Sequence, residues 1–439
     1  MIGGGNITDI SQLNGIKLIT SYWSGVNDFI NSKYSFVGDV HGDLHQFLAP
    51  LVMNRVIKLT GKVKIVNEEI KYYVPEYELI ENGGGSEMSE SNISSNSVIY
   101  LGDIADEWIF SRTISKMLYE LLKSKKVIYI YGNHDLSIIG RYHLFKARKL
   151  NIPEDLPPLW ETLKKELNCI KEVKIYRNKV LFNNNEEKGL EFLYKYVEPL
   201  FENLFKIFNE RLGVLSLASS INGENYIISH CSWTKKSVRQ LIEDENVNEV
   251  NRKRPGDNDE SQLMKVIDNY IPSNESIEYI KNIDFNSVDY KKLSESCNDL
   301  FNSKSRLFIS KNGITYTRNT EGIFVNQITG HTIGSEWREI GVNASQSTFN
   351  KERIDKLKPT IINGKKIYYF DFGASAGYEH DEISRPDFVY STSSGMFVSN
   401  LPAFSFICMS KGGNDDEVKD SLLIMKDKTP RSPNKIVLN

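Results

Sequence analysis

Histidine and cysteine are scarce in this chain of 439 residues, seven of the one and four of the other. Cys169, Cys231, Cys297 and Cys408 lie far apart and form no Cys-x-x-Cys unit. Zinc-ribbon and disulfide-framework scaffolds are therefore excluded, and a reducing compartment is the expectation. Charge of one sign is also missing. The 54 basic and 57 acidic residues leave a net charge of −3, which offers no electrostatic footprint for nucleic acid or an anionic membrane. No apolar run approaches the roughly 18 residues a bilayer span needs. The opening MIGGGNITDI lacks the charged and apolar regions of a signal peptide, and Ile2 stands where myristoylation would need glycine. A cytoplasmic, non-membrane protein is expected. The apolar content of 40% suffices for a core, and the length suits two to three domains or one large domain with insertions.

What is present is a repeated local design, an apolar run followed by a cluster of Gly, Asp, Asn or His. It occurs at YSFVGDVHG (34–42), SVIYLGDIAD (97–106), KVIYIYGNHD (126–135), NYIISHCSW (225–233), FVNQITGHT (324–332) and KIYYFDFGAS (366–375). The shortness of each run and its β-branched and aromatic content predict buried strands. Polar residues just past strand ends form the rim of a site in α/β folds. The segment 107–126, EWIFSRTISKMLYELLKSKK, has the three- and four-residue apolar spacing of a helix.

The intervals between runs are uneven and read as insertions. About 52–97 holds a hairpin-like pair and then a Gly/Ser-rich loop; 145–215 is helical in pattern, a candidate cap; 235–320 is polar and mixed. The expected organisation is a catalytic domain over 30–400, an N-terminal extension over 1–29, and a C-terminal strand and partly ordered tail over 401–439.

Each cluster alone is weak, since Asp and Gly are ordinary turn formers and an isolated His is more often structural than a ligand. The conjunction is what carries weight: Asp39-x-His41, Gly102-Asp103-x-x-Asp106, Gly132-Asn133-His134-Asp135, His230 and Gly330-His331-Thr332, in that order, each after a strand-like run. This ordered set resembles the calcineurin-like metallophosphoesterases, nearest the phosphoprotein phosphatase (serine/threonine phosphatase) branch. The resemblance spans Asp39 to Gly373, about three quarters of the chain. It implies a four-layer α/β/β/α sandwich with a helical insertion, a binuclear metal site and hydrolysis of a phosphorylated substrate. It assigns Asp39 and His41 to a first metal, Asp103 to the bridge, and Asn133, His230 and His331 to the second metal. A mixed carboxylate, imidazole and amide set suits Mn²⁺, Fe or Zn²⁺ better than Ca²⁺. By the same resemblance a metal-bridging hydroxide is the nucleophile, His134 is the acid for the leaving group and Asp106 orients it. From spacing alone, Asp39 and His41 suit a short extended segment, where residues i and i+2 share a side.

Two positions depart from that branch. Asp106-Glu107-Trp108 stands where it carries Asp-Arg-Gly, and Tyr131 where an arginine precedes Gly-Asn. The departures imply an altered substrate pocket, with Arg141, Arg239 or the 252–254 cluster as candidate replacements for the phosphate-binding arginines. Three readings follow: a phosphomonoesterase, with phosphoserine or phosphothreonine among its candidate substrates; a nucleotide, dinucleoside polyphosphate or RNA-cap hydrolase, suggested by Asp371-Phe372-Gly373; and a non-catalytic protein keeping the fold. The intact set of six ligand positions and the His134–Asp106 pair favour the enzyme readings. Asp43 and His45 read as helix start and helix surface, His143 as helix surface, and His380 as a residue of the loop after Asp371, with reach to the mouth of the site as the lesser alternative.

Overall fold

Three parallel strands organise each of two five-stranded sheets. The computed structural model describes residues 7–8, 10–25, 34–67, 70–80, 97–106, 110–168, 170–221, 223–242, 272–301, 321–333, 359–371, 389–391, 396–398, 406–409 and 423–424. In the first sheet Tyr34–Val37, Ser97–Tyr100 and Val127–Tyr129 run parallel, with Tyr34 opposite Ser97 and Val98 opposite Val127. Phe406–Met409 adds antiparallel to Tyr34–Val37, and Leu423–Ile424 adds beyond it. In the second sheet Glu224–Ser229, Gln327–Ile333 and Lys365–Asp371 are the parallel strands. Ser216–Ile221 and Thr360–Ile362 flank them antiparallel. These are the six apolar runs of the sequence, and the fold is the mixed α/β class that their rhythm predicts.

Parallel neighbours need a crossover between them. The helix Ser111–Lys123 supplies it between Ser97–Tyr100 and Val127–Tyr129, burying Ile114, Met117, Leu118, Leu121 and Leu122 on one face. The helix Leu44–Met53 follows the first strand, and Asp43 caps it by accepting the amides of His45 and Gln46. The segment after it is the expected hairpin, Ile57–Asn67 against Ile70–Leu79; Ile80 apart, the Gly/Ser loop of 81–96 lies outside the described residues.

The interval 145–215 contains the helices Pro157–Leu167 and Glu186–Asn209, the latter buried along Phe192, Tyr196, Leu200, Phe201, Leu204 and Ile207. Between them lies a hairpin that helical periodicity hid, Val173–Tyr176 paired with Lys179–Phe182. Its signal was local: Arg177 and Asn178 take φ of 47° and 61°, as a two-residue turn with both central residues left-handed requires. Among the described residues no helix is long and apolar enough to cross a membrane.

Candidate metal centre

Five of the polar clusters sit at or near the C-terminal ends of the parallel strands, so two sheets deliver their loops to one place; the sixth, beyond Asp371, lies outside the described residues. The first loop is a turn rather than an extended segment. His41 has φ 47°, in the left-handed region, because its amide and that of Val40 both donate to the Asp103 carbonyl, at 2.6 and 3.0 Å. Asp103 (φ 47°), Asp106 (φ 99°) and His331 (φ 56°) are left-handed too. Such backbones cost of order 1–3 kcal/mol each and persist only where surrounding contacts over-determine them. His331 reaches its position through a register shift in its own strand between Thr329 and Ile333.

His230 stands at the middle of the cluster. Its Nδ1 donates to the Leu101 carbonyl at 2.6 Å, which turns Nε2 toward Asp103 Oδ2 (3.3 Å), Asn133 Oδ1 (3.0 Å) and His331 Nδ1 (3.1 Å). Asp39 Oδ1 accepts the His331 amide at 3.0 Å, and Asp103 Oδ1 accepts the His134 amide at 2.9 Å. Ligand-type atoms of Asp39, Asp103, His230 and His331 all lie within 4.8 Å of one another, and all four residues are buried. His41 turns Nε2 toward Asp39 Oδ2 and Asp103 Oδ2, at 3.8 and 3.9 Å.

Asp106 serves two imidazoles. Oδ1 faces His41 Nδ1 at 3.2 Å, and Oδ2 makes a short hydrogen bond with His134 Nδ1. His41, Asp106 and His134 therefore also gather within 4.8 Å. With both Asp106 oxygens already facing Nδ1 atoms, this trio is hydrogen-bonded in a chain and leaves each imidazole's Nε2 directed elsewhere. His134 is the most exposed of the set, at 22% of its side chain, with Nε2 4.0 Å from Asp103 Oδ2.

Charge and burial oppose each other here. Burial pushes the Asp103 carboxyl up, but His230, His134 and His41 outweigh it and hold Asp103 well below the ordinary carboxylate range. Burial disfavours a charged His230, yet Asp103 and Asp39 lift it to about 9. Asp103 is thus ionised in a dry setting where His230 carries compensating positive charge, an arrangement a cation would enter.

The backbone also leaves room. A Cβ at Gly132 would fall 2.0 Å from Asp103 Oδ1, and one at Gly330 2.7 Å from Asp39 Oδ1. Only glycine lets those two strand ends close on the carboxylates. The N/O donor set, its burial and this cradle fit divalent transition-metal ions.

The geometry brings together Asp39, His41, Asp103, Asp106, Asn133, His134, His230 and His331. Arg141 is not among them. It follows the helix Asn133–Gly140, about 12 Å along the axis from Asn133, and its Nη1 donates to the Ser137 carbonyl and hydroxyl at 3.1 and 2.8 Å. Arg239 is exposed, over the Phe285 ring at 5.3 Å. Glu107, Trp108, the 252–254 cluster, Phe372, Gly373 and His380 lie outside the described residues. His45 is half-buried rather than on the surface, accepting the Trp23 indole N–H at 3.1 Å.

Three supporting roles escaped sequence reading. Asp135 is fully buried and clamps two loops, accepting the Ile104 and Gly132 amides at 3.0 Å each. Gln327 closes a reciprocal pair with the Trp233 amide and carbonyl, at 2.7 and 2.8 Å, bracing the loop after His230. Ser111 Oγ accepts the Asp106 amide at 3.1 Å. Asp135 was visible inside GNHD; nothing in the sequence distinguished the other two from ordinary polar residues.

Convergent N/O donors at the ends of parallel strands define the class first, an α/β protein able to hold divalent metal in a buried site. A sequence model of the calcineurin-like phosphoesterase family matches residues 33–280, which contain every one of these residues except His331. The chain belongs to that family, whose members are metal-dependent hydrolases of phosphoesters. No curated protein matches the chain. Among solved structures it is similar to the phosphatase domain of the Legionella effector WipB, at 11% identity and a TM-score of 0.28, over 70% of this chain and 100% of that one.

Proposed function

We propose that this chain hydrolyses a phosphomonoester, with phosphoserine and phosphothreonine in proteins as the candidate substrates, using two divalent metals drawn from Mn²⁺, Fe and Zn²⁺. The observation that carries the reading is the meeting of Asp39, Asp103, His230 and His331 within 4.8 Å beside the His134–Asp106 hydrogen bond. Asp39 and His41 would hold one ion, Asn133, His230 and His331 the other, and Asp103 would bridge them. Bound there, the metals would supply Lewis-acid charge for the phosphoryl oxygens and bring a water's pKa toward neutrality.

The remaining work falls to the chain's own side chains. His134 Nδ1 is tied to Asp106, so Nε2 is the atom left to give a proton to the departing oxygen. Its partial exposure puts that nitrogen where a substrate oxygen can reach it. Asp106 keeps the imidazole in orientation and supports its positive form. Asp103, held ionised by its imidazole neighbours, and the Asp39 carboxyl beside it supply oxygens for metal rather than for substrate. Arg141, whose side chain turns back along the helix to Ser137, is the candidate among the described residues for the phosphate's own charge.

Metal analysis of the purified chain, with turnover of p-nitrophenyl phosphate in Mn²⁺, tests the reading. Bound metal and a metal-dependent rate are expected; no metal and no rate would overturn it. Phosphopeptides set against capped RNA and dinucleoside polyphosphates then divide the substrates. Preference for the latter pair would replace phosphomonoester by phosphoanhydride as the bond cleaved.

A further inference from the structure

Arg112 is a buried cation close in sequence to the site and used by none of the chemistry above. It is the second residue of the helix Ser111–Lys123, and its side chain is 6% exposed. The guanidinium carbon lies 3.6 Å from the centre of the Tyr196 ring and 5.8 Å from that of Tyr72. Nη2 is 3.8 Å from Glu166 Oε2, and that same oxygen accepts the Tyr196 hydroxyl at 2.6 Å. The Arg112 carbonyl accepts the hydroxyls of Tyr72 and Ser115, and Ser115 Oγ accepts Asn203 Nδ2 at 3.3 Å. One residue later, Thr113 Oγ1 donates to the Tyr73 carbonyl at 2.9 Å.

The partners come from two of the chain's insertions. Tyr72 and Tyr73 belong to the hairpin strand Ile70–Leu79, Glu166 to the helix Pro157–Leu167, and Tyr196 and Asn203 to the helix Glu186–Asn209. Both insertions thus converge on the first turn of one helix. Immediately before Arg112, Ser111 Oγ accepts the Asp106 amide, and Asp106 is the residue held at φ 99° with its carboxylate divided between His41 and His134.

A phosphate-binding role does not suit Arg112, because an aromatic ring lies 3.6 Å from its guanidinium carbon and its charge faces a buried carboxylate. A purely stabilising role suits it poorly as well. Burying an ion pair costs desolvation that well-packed apolar residues of similar volume avoid, so such a pair is weak evidence of stability and better explained by orientation. The hydrogen bonds to its carbonyl, with those of Thr113 and Ser115, make the start of the helix a rigid mount.

We propose that Arg112 is a positioning residue: clasped by Glu166, Tyr196 and Tyr72, it fixes the helix start so that Ser111 Oγ holds Asp106 in the left-handed geometry that aims His134. The proposal rests on the reading of His134 as the leaving-group acid. It gives the two insertions a task at the centre, to hold the acid's orienting carboxylate from behind.

The test is a double variant, Arg112→Met with Glu166→Leu, which removes both charges together and leaves no uncompensated buried ion. Phenyl phosphate and p-nitrophenyl phosphate serve as substrates with a poor and a good leaving group. Assayed at saturating Mn²⁺, because Asp106 also faces His41, kcat should fall about tenfold on phenyl phosphate and no more than about twofold on p-nitrophenyl phosphate, with KM unchanged. Hydrogen exchange at the Asp106 amide should quicken in the same variant. Arg112→Lys, which keeps the charge but loses the flat stacking face, should fall between wild type and double variant.

Equal losses on the two esters, or unchanged exchange at the Asp106 amide, would overturn the proposal alone. If the double variant does not fold, Ser111→Ala carries the test, with the same leaving-group pattern expected and a parallel loss or no loss overturning it. A wild-type chain inactive on both esters would overturn the phosphoesterase reading, and this inference with it.

Discussion

Asp39 Oδ1 accepts the backbone amide of His331 at 3.0 Å across 292 residues of sequence. The loop after the first strand of one sheet is thereby tied to a strand of the other, and a carboxylate proposed to hold metal also holds the fold of the site. The two duties can be separated. Asp39→Asn keeps an oxygen acceptor for the amide and loses the charge, whereas Asp39→Ala loses both. Both variants should bind metal weakly. In metal-free denaturant unfolding, Asp39→Ala should be the less stable by about 1–3 kcal/mol, the cost of leaving a buried N–H unsatisfied. Equal stabilities would mean that the tie contributes nothing to folding.

Gly132 should tolerate no side chain. Its backbone is ordinary, so Gly132→Ala carries no conformational penalty of the left-handed kind. The added Cβ would nevertheless lie 2.0 Å from Asp103 Oδ1 and 2.2 Å from the Asp103 amide. The strand ends must move apart or Asp103 must turn away. Metal content should drop to near background, and activity with it, while far-ultraviolet circular dichroism stays that of the folded chain. Gly330→Ala, at 2.7 Å from Asp39 Oδ1, should be the milder of the two. A Gly132→Ala protein with full metal content would show that the close approach is not needed.

How much of this was legible beforehand follows from what each feature depends on. The six strands were readable because a buried parallel strand is a short apolar run, and each run ends in residues whose chemistry makes a rim. Asp39, His41, Asp103, Asn133, His230 and His331 were nameable through the resemblance carried by the ordered motifs at those ends, in which histidine is the scarce residue type. The hairpin around Arg177 and Asn178 was missed because long helical periodicity on either side dominated the interval. The left-handed turn at His41 was missed because spacing alone cannot separate an extended pair from one bent by two amides converging on a single carbonyl. Asp106's second partner, His41, and the Arg112 clasp depend on contacts between residues 30 to 88 positions apart. Pattern within a window carries no record of them.

Because Asp106 faces both His41 and His134, its loss should differ from the loss of His134. His134→Ala removes the proposed acid and leaves every proposed metal donor in place. It should retain metal and lose about 10²–10⁴-fold on poor leaving groups, with activated aryl esters suffering less. Asp106→Ala should show the same leaving-group pattern and, in addition, weaken metal binding by about 10–100-fold, since it also unseats the Nδ1 contact that orients His41. Metal titration of the two variants side by side checks this. Identical metal affinities would mean that the 3.2 Å contact to His41 does not orient it.

The opposing shifts at His230 and Asp103 predict a metal-dependent reversal with pH. His230 is raised from 6.5 to about 9, so its contribution to the metal-free fold is complete below pH 6.5 and is lost as pH rises through 9. Asp103 is depressed from 3.8, so its contribution is present above that value and is lost as pH falls through its lower folded value. The two are one pair, and their common plateau lies between about pH 4 and 6.5. Metal requires the unprotonated His230, so binding releases a proton and tightens as pH rises. The melting temperature of the chelator-treated protein should therefore fall between pH 6.5 and 9, while with saturating Mn²⁺ it should hold or climb, and the gap between the curves should widen. Calorimetric titration of Mn²⁺ in two buffers of different ionisation enthalpy should register the released proton at pH 7.5. A metal-free protein that grows more stable over that range would show that His230 is neutral in the fold and that its proximity to Asp103 and Asp39 is not that of an ion pair.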